Sequence, residues 1–209
     1  MASTIAAVTT GGGGVITTAD SSGNLSLLSG ATTVVAVTSA GVAVTGTLAV
    51  SGVTTLTGGF TVGATAAPAF SAYLGSAQTV TTATNTKVQI NTEVFDTASA
   101  FDSTTNYRFT PQVAGYYQVN AQLTGSGTVS ISAIYPLIYK NGSVYQFGTL
   151  SQGTGLSGGQ ATVISTLIYL NGSTDYIELY GLVGGTGTIT FGSSSGQQTY
   201  FSASLIRGA

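Results

Sequence analysis

The sequence predicts an all-β protein: a β-sandwich domain preceded by a repetitive, β-structured fibrous shaft. Three observations carry this. From Pro68 onward, short apolar alternations recur about every ten residues, separated by Gly, Asn or Ser clusters. No window sustains the 3.6-residue period of an amphipathic helix. Ahead of Pro68, glycines six residues apart punctuate short Val and Leu alternations, and the composition changes abruptly at the boundary.

The 209 residues fit one domain, or one domain with an appendage. Four basic and six acidic side chains leave a net charge of −2. No cationic surface exists to displace counterions from phosphate, so nucleic acid is not an expected partner. Hydrophobic residues make up 43% of the chain, far from the composition of ordinary disorder. Cysteine and histidine are both absent. Disulfide frameworks, thiolate or imidazole metal sites and His-based nucleophilic catalysis are thereby excluded. Met1 to Asp20 lacks a basic n-region and carries Gly11 to Gly14 where a signal peptide has its apolar run. The aliphatic stretches Val34 to Val37 and Ala161 to Leu170 fall well short of the ~18 residues of a membrane span. Apolar surface is therefore expected to be buried against protein.

The first part is taken as residues 1–20, a segment anchoring the chain to other proteins of its assembly, and 21–67, the shaft. All three prolines (Pro68, Pro111, Pro136) lie at or beyond position 68, and Phe60 is the lone aromatic before it. No charged side chain occurs from residue 21 to 86. A boundary near Ala66-Ala67-Pro68 satisfies all these shifts. Gly46, Gly52 and Gly58 separate Val42-x-Val44, Leu48-x-Val50 and Val53-x-x-Leu56, with Leu25-x-Leu27 before Gly30 as a looser copy. Thr and Val between them favour extended backbone. Each unit is expected to be a short strand followed by a Gly-containing turn. Strands this short are not stable alone, so several chains wound around one axis would supply each other's edges. A flexible linker is the competing reading, but a linker has no need of regular Val and Leu alternation.

The second part, residues 68–209, is expected to form the sandwich. Val88 and Ile90, then Val94, alternate against Gln89 and Asn91. Tyr117, Val119, Ala121 and Leu123 alternate against Gln118, Asn120 and Gln122. Asn141-Gly142 and Asn171-Gly172 each sit between apolar runs, and Asn-Gly suits the positive φ angles of a type I′ hairpin turn. The inner faces are assigned Phe70, Val88, Ile90, Phe109, Tyr117, Val119 and Phe201.

Phe109 to Val119 (FTPQVAGYYQV) resembles the central F-x5-G-x-Y-x-[FV] signature of C1q-like domains. Val88 to Phe95 with Tyr107 is similar to the family's approach to that signature. Ala69-Phe70-Ser71-Ala72 resembles its opening strand, Lys140-Asn141-Gly142 its K-N-G hairpin, and Tyr200 to Ile206 its closing strand. One departure lies at Leu170 to Ile177, which is one residue longer than the family's L-x-x-G-D-x-V and lacks Gly directly before Asp. The resemblance implies a ten-stranded jelly roll of the C1q/TNF type. It further implies compact trimers around a three-fold axis that bind ligands at the trimer surface and cap a trimeric stalk. Six-residue Gly-rich units ahead of a β-rich tip also resemble phage fibre proteins.

Motifs with catalytic letters carry little. Gly192 to Gly196 fits G-x-S-x-G without a His or a following helix, and is expected to be a polar loop. Gly153 to Gly158 fits G-x-G-x-x-G but leads into a β-branched run, so it too is expected to be a loop. Asp175 and Glu178 lie three apart, on opposite faces of a strand, which does not suit paired-carboxylate chemistry. A turn role is expected for Asp175, and a solvated or interface face for Glu178. Glu93, Asp96, Asp102 and Asn106 could furnish oxygen ligands for calcium, but their order matches no known loop, and solvated loop acids are the simpler reading. No cofactor is expected.

The tyrosines are more telling. In Tyr176 to Tyr180, Ile177 and Leu179 face the core while Tyr176, Glu178 and Tyr180 face outward. Tyr135, Leu137 and Tyr139 follow the same rule. An outward row of this kind suits a trimer interface, or a receptor or sugar platform. The expected function is a structural component of a virion: a homotrimeric tail or head fibre, surface-exposed, whose jelly-roll tip contacts a host glycan or protein. The alternatives are a capsid-decorating trimer without receptor binding and, disfavoured by the missing catalytic groups, a surface-glycan hydrolase.

Overall fold

A computed structural model describes residues 25–29, 32–45, 48, 67–127, 131–156, 159–192 and 197–209. The expected anchor over 1–20 and the repeat around Gly46, Gly52 and Gly58 lie outside them. The chain forms two compact units, Met1–Phe60 and Thr61–Ala209. All regular structure among the described residues is β.

In the first unit, β1 (Leu25–Ser29), β2 (Thr32–Thr38) and β3 (Gly41–Val44) make an antiparallel meander in the order β1-β2-β3. Both Leu25-x-Leu27 and Val42-x-Val44 are strands, as their alternation predicts. Within one chain β2 pairs with β1 on one side and with β3 on the other, which makes β1 and β3 the edge strands of the sheet.

The second unit begins with β4 (Ala69–Tyr73), β5 (Gln78–Val80), β6 (Thr86–Lys87), β7 (Thr92–Asp96), β8 (Phe101–Asp102) and β9 (Arg108–Phe109). The long strands β10 (Ala114–Gly127) and β11 (Ile131–Lys140) follow, then β12 (Ser143–Phe147), β13 (Ser151–Leu156) and β14 (Gln160–Asn171). Last come β15 (Ile177–Gly185), β16 (Ile189–Phe191) and β17 (Tyr200–Gly208). They form two seven-stranded sheets. In the first, β10 is central, paired to β14 on one side and to β17 and β16 on the other, with β4 and β7 beyond β17 and β5 beyond β16. The second runs β12-β11-β15-β9-β8, with β13 on β11 and β6 on β15. The count exceeds the expected ten because two- and three-residue strands flank the long ones.

Alternation places the core. Every residue assigned to the inner faces, from Phe70 to Phe201, is at most 1% exposed. Phe70 of the first sheet stacks on Phe101 and Phe109 of the second, with centroids 4.4 and 4.6 Å apart, and meets Phe201 edge-on. Gly181 allows the sheets to approach, since a Cβ there would lie 2.5 Å from Leu123 and 2.6 Å from the Phe191 ring. Val94 does not join the core; it is 51% exposed. The β4–β7 register jumps from Ser71↔Phe95 to Ala72↔Glu93, leaving Val94 as the unpaired bulge residue.

The two Asn-Gly pairs part company. Asn141 (φ +52°) and Gly142 (φ +78°) close the β11–β12 hairpin as expected. Asn171-Gly172 does not close a hairpin, because β14 belongs to the first sheet and β15 to the second. There the Asn171 Oδ1 accepts backbone N–H bonds from Ser173, Thr174 and Asp175 at 2.9–3.0 Å, turning the chain between layers. Gly172 (φ +70°) is required, since a Cβ would lie 2.3 Å from the Ala114 nitrogen.

Candidate functional site

The outward residues of β11 and β15 share one face, because Tyr139 pairs with Glu178 and Leu137 with Tyr180. Its own contacts close part of this face, while Phe147, cross-strand from Leu137, stays 56% exposed. Tyr139 and Tyr180 stack at 3.8 Å and 15°, and Tyr135 lies 5.9 Å from Phe147. Leu137, cross-strand from both Tyr180 and Phe147, is fully buried rather than outward and free. Glu178 is also buried, contrary to a solvated face: Lys87 Nζ lies 2.5 Å from its carboxylate and donates a second bond to the Asn106 carbonyl. Burial, and then the Glu178 charge, push the Tyr180 hydroxyl above its ordinary pKa. Tyr176 is half-buried, with the Arg108 guanidinium 4.5 Å over its ring.

Asp175 has the turn role expected of it. Lys140 Nζ donates to its carboxylate at 2.8 Å and Asn141 Nδ2 does so at 2.8 Å, tying the β11–β12 hairpin to the interlayer turn. The Lys140 bond is the main reason its carboxyl sits below the usual range.

The other acids serve their own loops. Asp96 accepts from the Phe101 N–H at 2.7 Å, and Glu93 from the Ser103 hydroxyl at 2.6 Å. Asp102 accepts backbone N–H bonds from Thr104, Thr105 and Asn106. Those of Thr105 and Thr104 hold its carboxyl well below the ordinary carboxylate range. Among the described residues, no three acids, histidines or cysteines gather as a metal site would need. Gly153 to Leu156 lie in strand β13 rather than a loop, with the rest of that motif outside the described residues. Of Gly192 to Gly196 only Gly192 is described.

Apolar side chains are open to water on both sheets: Val144, Tyr145 and Phe147 on β12 of the second, and a row along β14 of the first that lies apart from the tyrosines of β11 and β15. Val163, Leu167 and Tyr169 of β14 point away from the core and are 49, 55 and 41% exposed. Tyr116, cross-strand from Tyr169, extends the row. Beside them Gln118 Nε2 donates to the Ser165 hydroxyl at 2.8 Å, which donates to Asn120 Oδ1 at 2.9 Å. These polar groups satisfy one another and leave a flat face flanked by charge, at Arg207 opposite Tyr116 and at the Lys140 ammonium 5.9 Å from the Tyr169 ring. Farther across it, Ser71, Asn120, Ser202 and Ser204 line a depression of about 280 Å³ walled by Phe95. The outer edge of β14 is closed to strand addition: the Val163, Leu167 and Tyr169 carbonyls accept from Thr149 N, Tyr145 Oη and Lys140 Nζ. A signal for this face existed. Residues 161–170 are apolar at both parities, as in a strand covered on two sides, whereas Tyr116 to Leu123 alternates with amides.

Two packed antiparallel sheets with this strand order make the second unit a C1q/TNF-like jelly roll. Similar solved structures include the globular domain of zebrafish complement 1qA protein, 16% identical, at a TM-score of 0.50 over 68% of this chain and 99% of that one. The Eiger TNF of S. frugiperda is 11% identical, with a TM-score of 0.50 over 69% of this chain and 94% of its own. Murine APRIL at pH 5.0 is 10% identical, at a TM-score of 0.50, covering 67% and 99%. At these identities the likeness concerns the fold. No family model matches the sequence, and no curated protein does.

Proposed function

We propose that the protein is a structural component of a virion: a homotrimeric fibre whose N-terminal part projects from tail or head and whose jelly roll meets the host surface. The observation that carries self-association is the flat face of β10 and β14, with Val163, Leu167, Tyr169 and Tyr116 left open to water. A chain with so few charges needs such a surface covered to remain soluble. A second copy is the simplest cover, and the C1q-like motifs of the sequence imply threefold assembly. Host contact then works by avidity, with several weak sites on each trimer and several trimers on each particle.

The decorating trimer without a receptor is favoured by one observation. The tyrosine row of β11 and β15, a candidate surface for trimer or receptor contact, is engaged in its own stacking and flanked by the Lys87–Glu178 pair. Native mass spectrometry of the full chain tests assembly: a trimer is expected, Leu167→Asp should yield monomer, and a wild-type monomer would refute the reading. Imaging the protein on purified particles tests the virion reading. Adsorption of the purified trimer to host cells separates fibre from decoration.

A further inference from the structure

The small sheet of the first unit has two unequal faces. Val35 pairs with Val44 and Val37 with Val42, so these four valines share one side. Ala36 pairs with Ala43 on the other. The valine side is not covered by its own unit: Val37 is 39% exposed, Val42 66% and Val44 37%. β2 is paired on both sides and β1 and β3 are the edge strands of this sheet, whose valine face is open to water as well.

We infer that the valine faces of the three copies pack against one another about their common axis. No charged side chain occurs between residues 21 and 86, so the region has nothing with which to select a charged partner. Flat, β-branched surfaces are self-complementary and pack about 10 Å apart. The apolar pattern also continues past the sheet, with Leu48 69% exposed and Leu48-x-Val50 and Val53-x-x-Leu56 in the sequence. Three strands ~4.8 Å apart and about four residues long present roughly 200 Å². A stable interface needs about 800 Å² per partner, so this contact forms only between copies already held together by their C-terminal domains. It therefore rests on the homotrimer proposed above.

Because the chain has no cysteine, single introduced thiols report on each face separately. In the full-length protein, Val42→Cys should join copies through a short bismaleimide about tenfold faster than Ala43→Cys, reflecting the difference in effective concentration. Val37→Thr/Val42→Thr/Val44→Thr should raise hydrogen exchange over residues 25–44 about tenfold while the mass stays that of the trimer. A trimer whose 42 and 43 variants cross-link alike, or one whose residue 42 joins a different protein on the assembled particle, overturns the face assignment. A monomer by mass overturns the homotrimer reading, and this inference with it.

Discussion

The two outer faces of the jelly roll are built from similar residues and treated in opposite ways. On the second sheet, Tyr139 stacks on Tyr180 and Tyr135 meets Phe147 beside the buried Leu137, and Lys87 neutralises Glu178, although Phe147 itself stays 56% exposed. On the first, Val163, Leu167 and Tyr169 stand open over a flat network of amides and hydroxyls. The lesson is that outward-pointing does not mean available. A ring stacked closely on its cross-strand neighbour, as Tyr139 is on Tyr180, loses much of its exposure, whereas Val163 and Leu167 on a flat sheet find no such cover within the chain.

If the second sheet's face is a finished part of the monomer, breaking it must unfold the domain. Glu178→Ala strands Lys87 beside a buried site and is expected to cost about 2–3 kcal/mol, or roughly 4–12 °C in Tm by calorimetry. Lys87→Met/Glu178→Leu should recover most of that loss, and a neutral Glu178→Ala would erase the distinction between the faces. Next in size, Asp175→Asn loosens the clasp between hairpin and interlayer turn by about 1–2 kcal/mol at neutral pH.

The same carboxyl sets part of the pH response. Its folded pKa lies below its unfolded value, so its contribution is present above about pH 4 and is lost as the pH falls further. Asp102 adds to this acid limb in the same sense, and Asp175→Asn should flatten its share in acid titrations followed by circular dichroism. Tyr117 works oppositely. Its buried hydroxyl donates to the Val113 carbonyl at 2.7 Å, and desolvation pushes its pKa up to about 12. Stability is then full below pH ~10 and falls as the pH rises through the folded value. Tyr117→Phe should cost about 1 kcal/mol and soften the alkaline fall. The smallest effect belongs to the open face: Leu167→Ser should change domain stability by less than about 0.5 kcal/mol while weakening assembly. A large loss of domain stability there would mean that the face is core after all.

The inward half of the fold was legible because burial of one face imposes a two-residue period. Phe70, Val88, Ile90, Phe109, Tyr117, Val119 and Phe201 all follow it. The same rule missed Val94, because a one-residue bulge resets parity and has no local signature there. It marked Leu137 and Glu178 as outward, which their cross-strand register supports, yet not as buried. Their covers come from Phe147, ten residues along the chain, and from Lys87, 91 residues away. The open face of β14 was visible in residues 161–170 as a run apolar at both parities, but such a run is equally the mark of a strand buried inside one chain.

Alternation, glycine spacing and the shift in composition near Pro68 determined on their own that this chain would be β-built and two-part. Those properties are local or compositional, and each residue carries its share wherever the chain goes. Asn141-Gly142 and Asn171-Gly172 mark the limit of that information, as the same dipeptide closes a hairpin at one place and carries the chain between sheets at the other. Which outcome a turn has, and which outward side chain remains free, depends on partners brought together from distant segments. Only the packed structure decides that, because contact energy belongs to pairs and the pairs do not exist until the sheets have met.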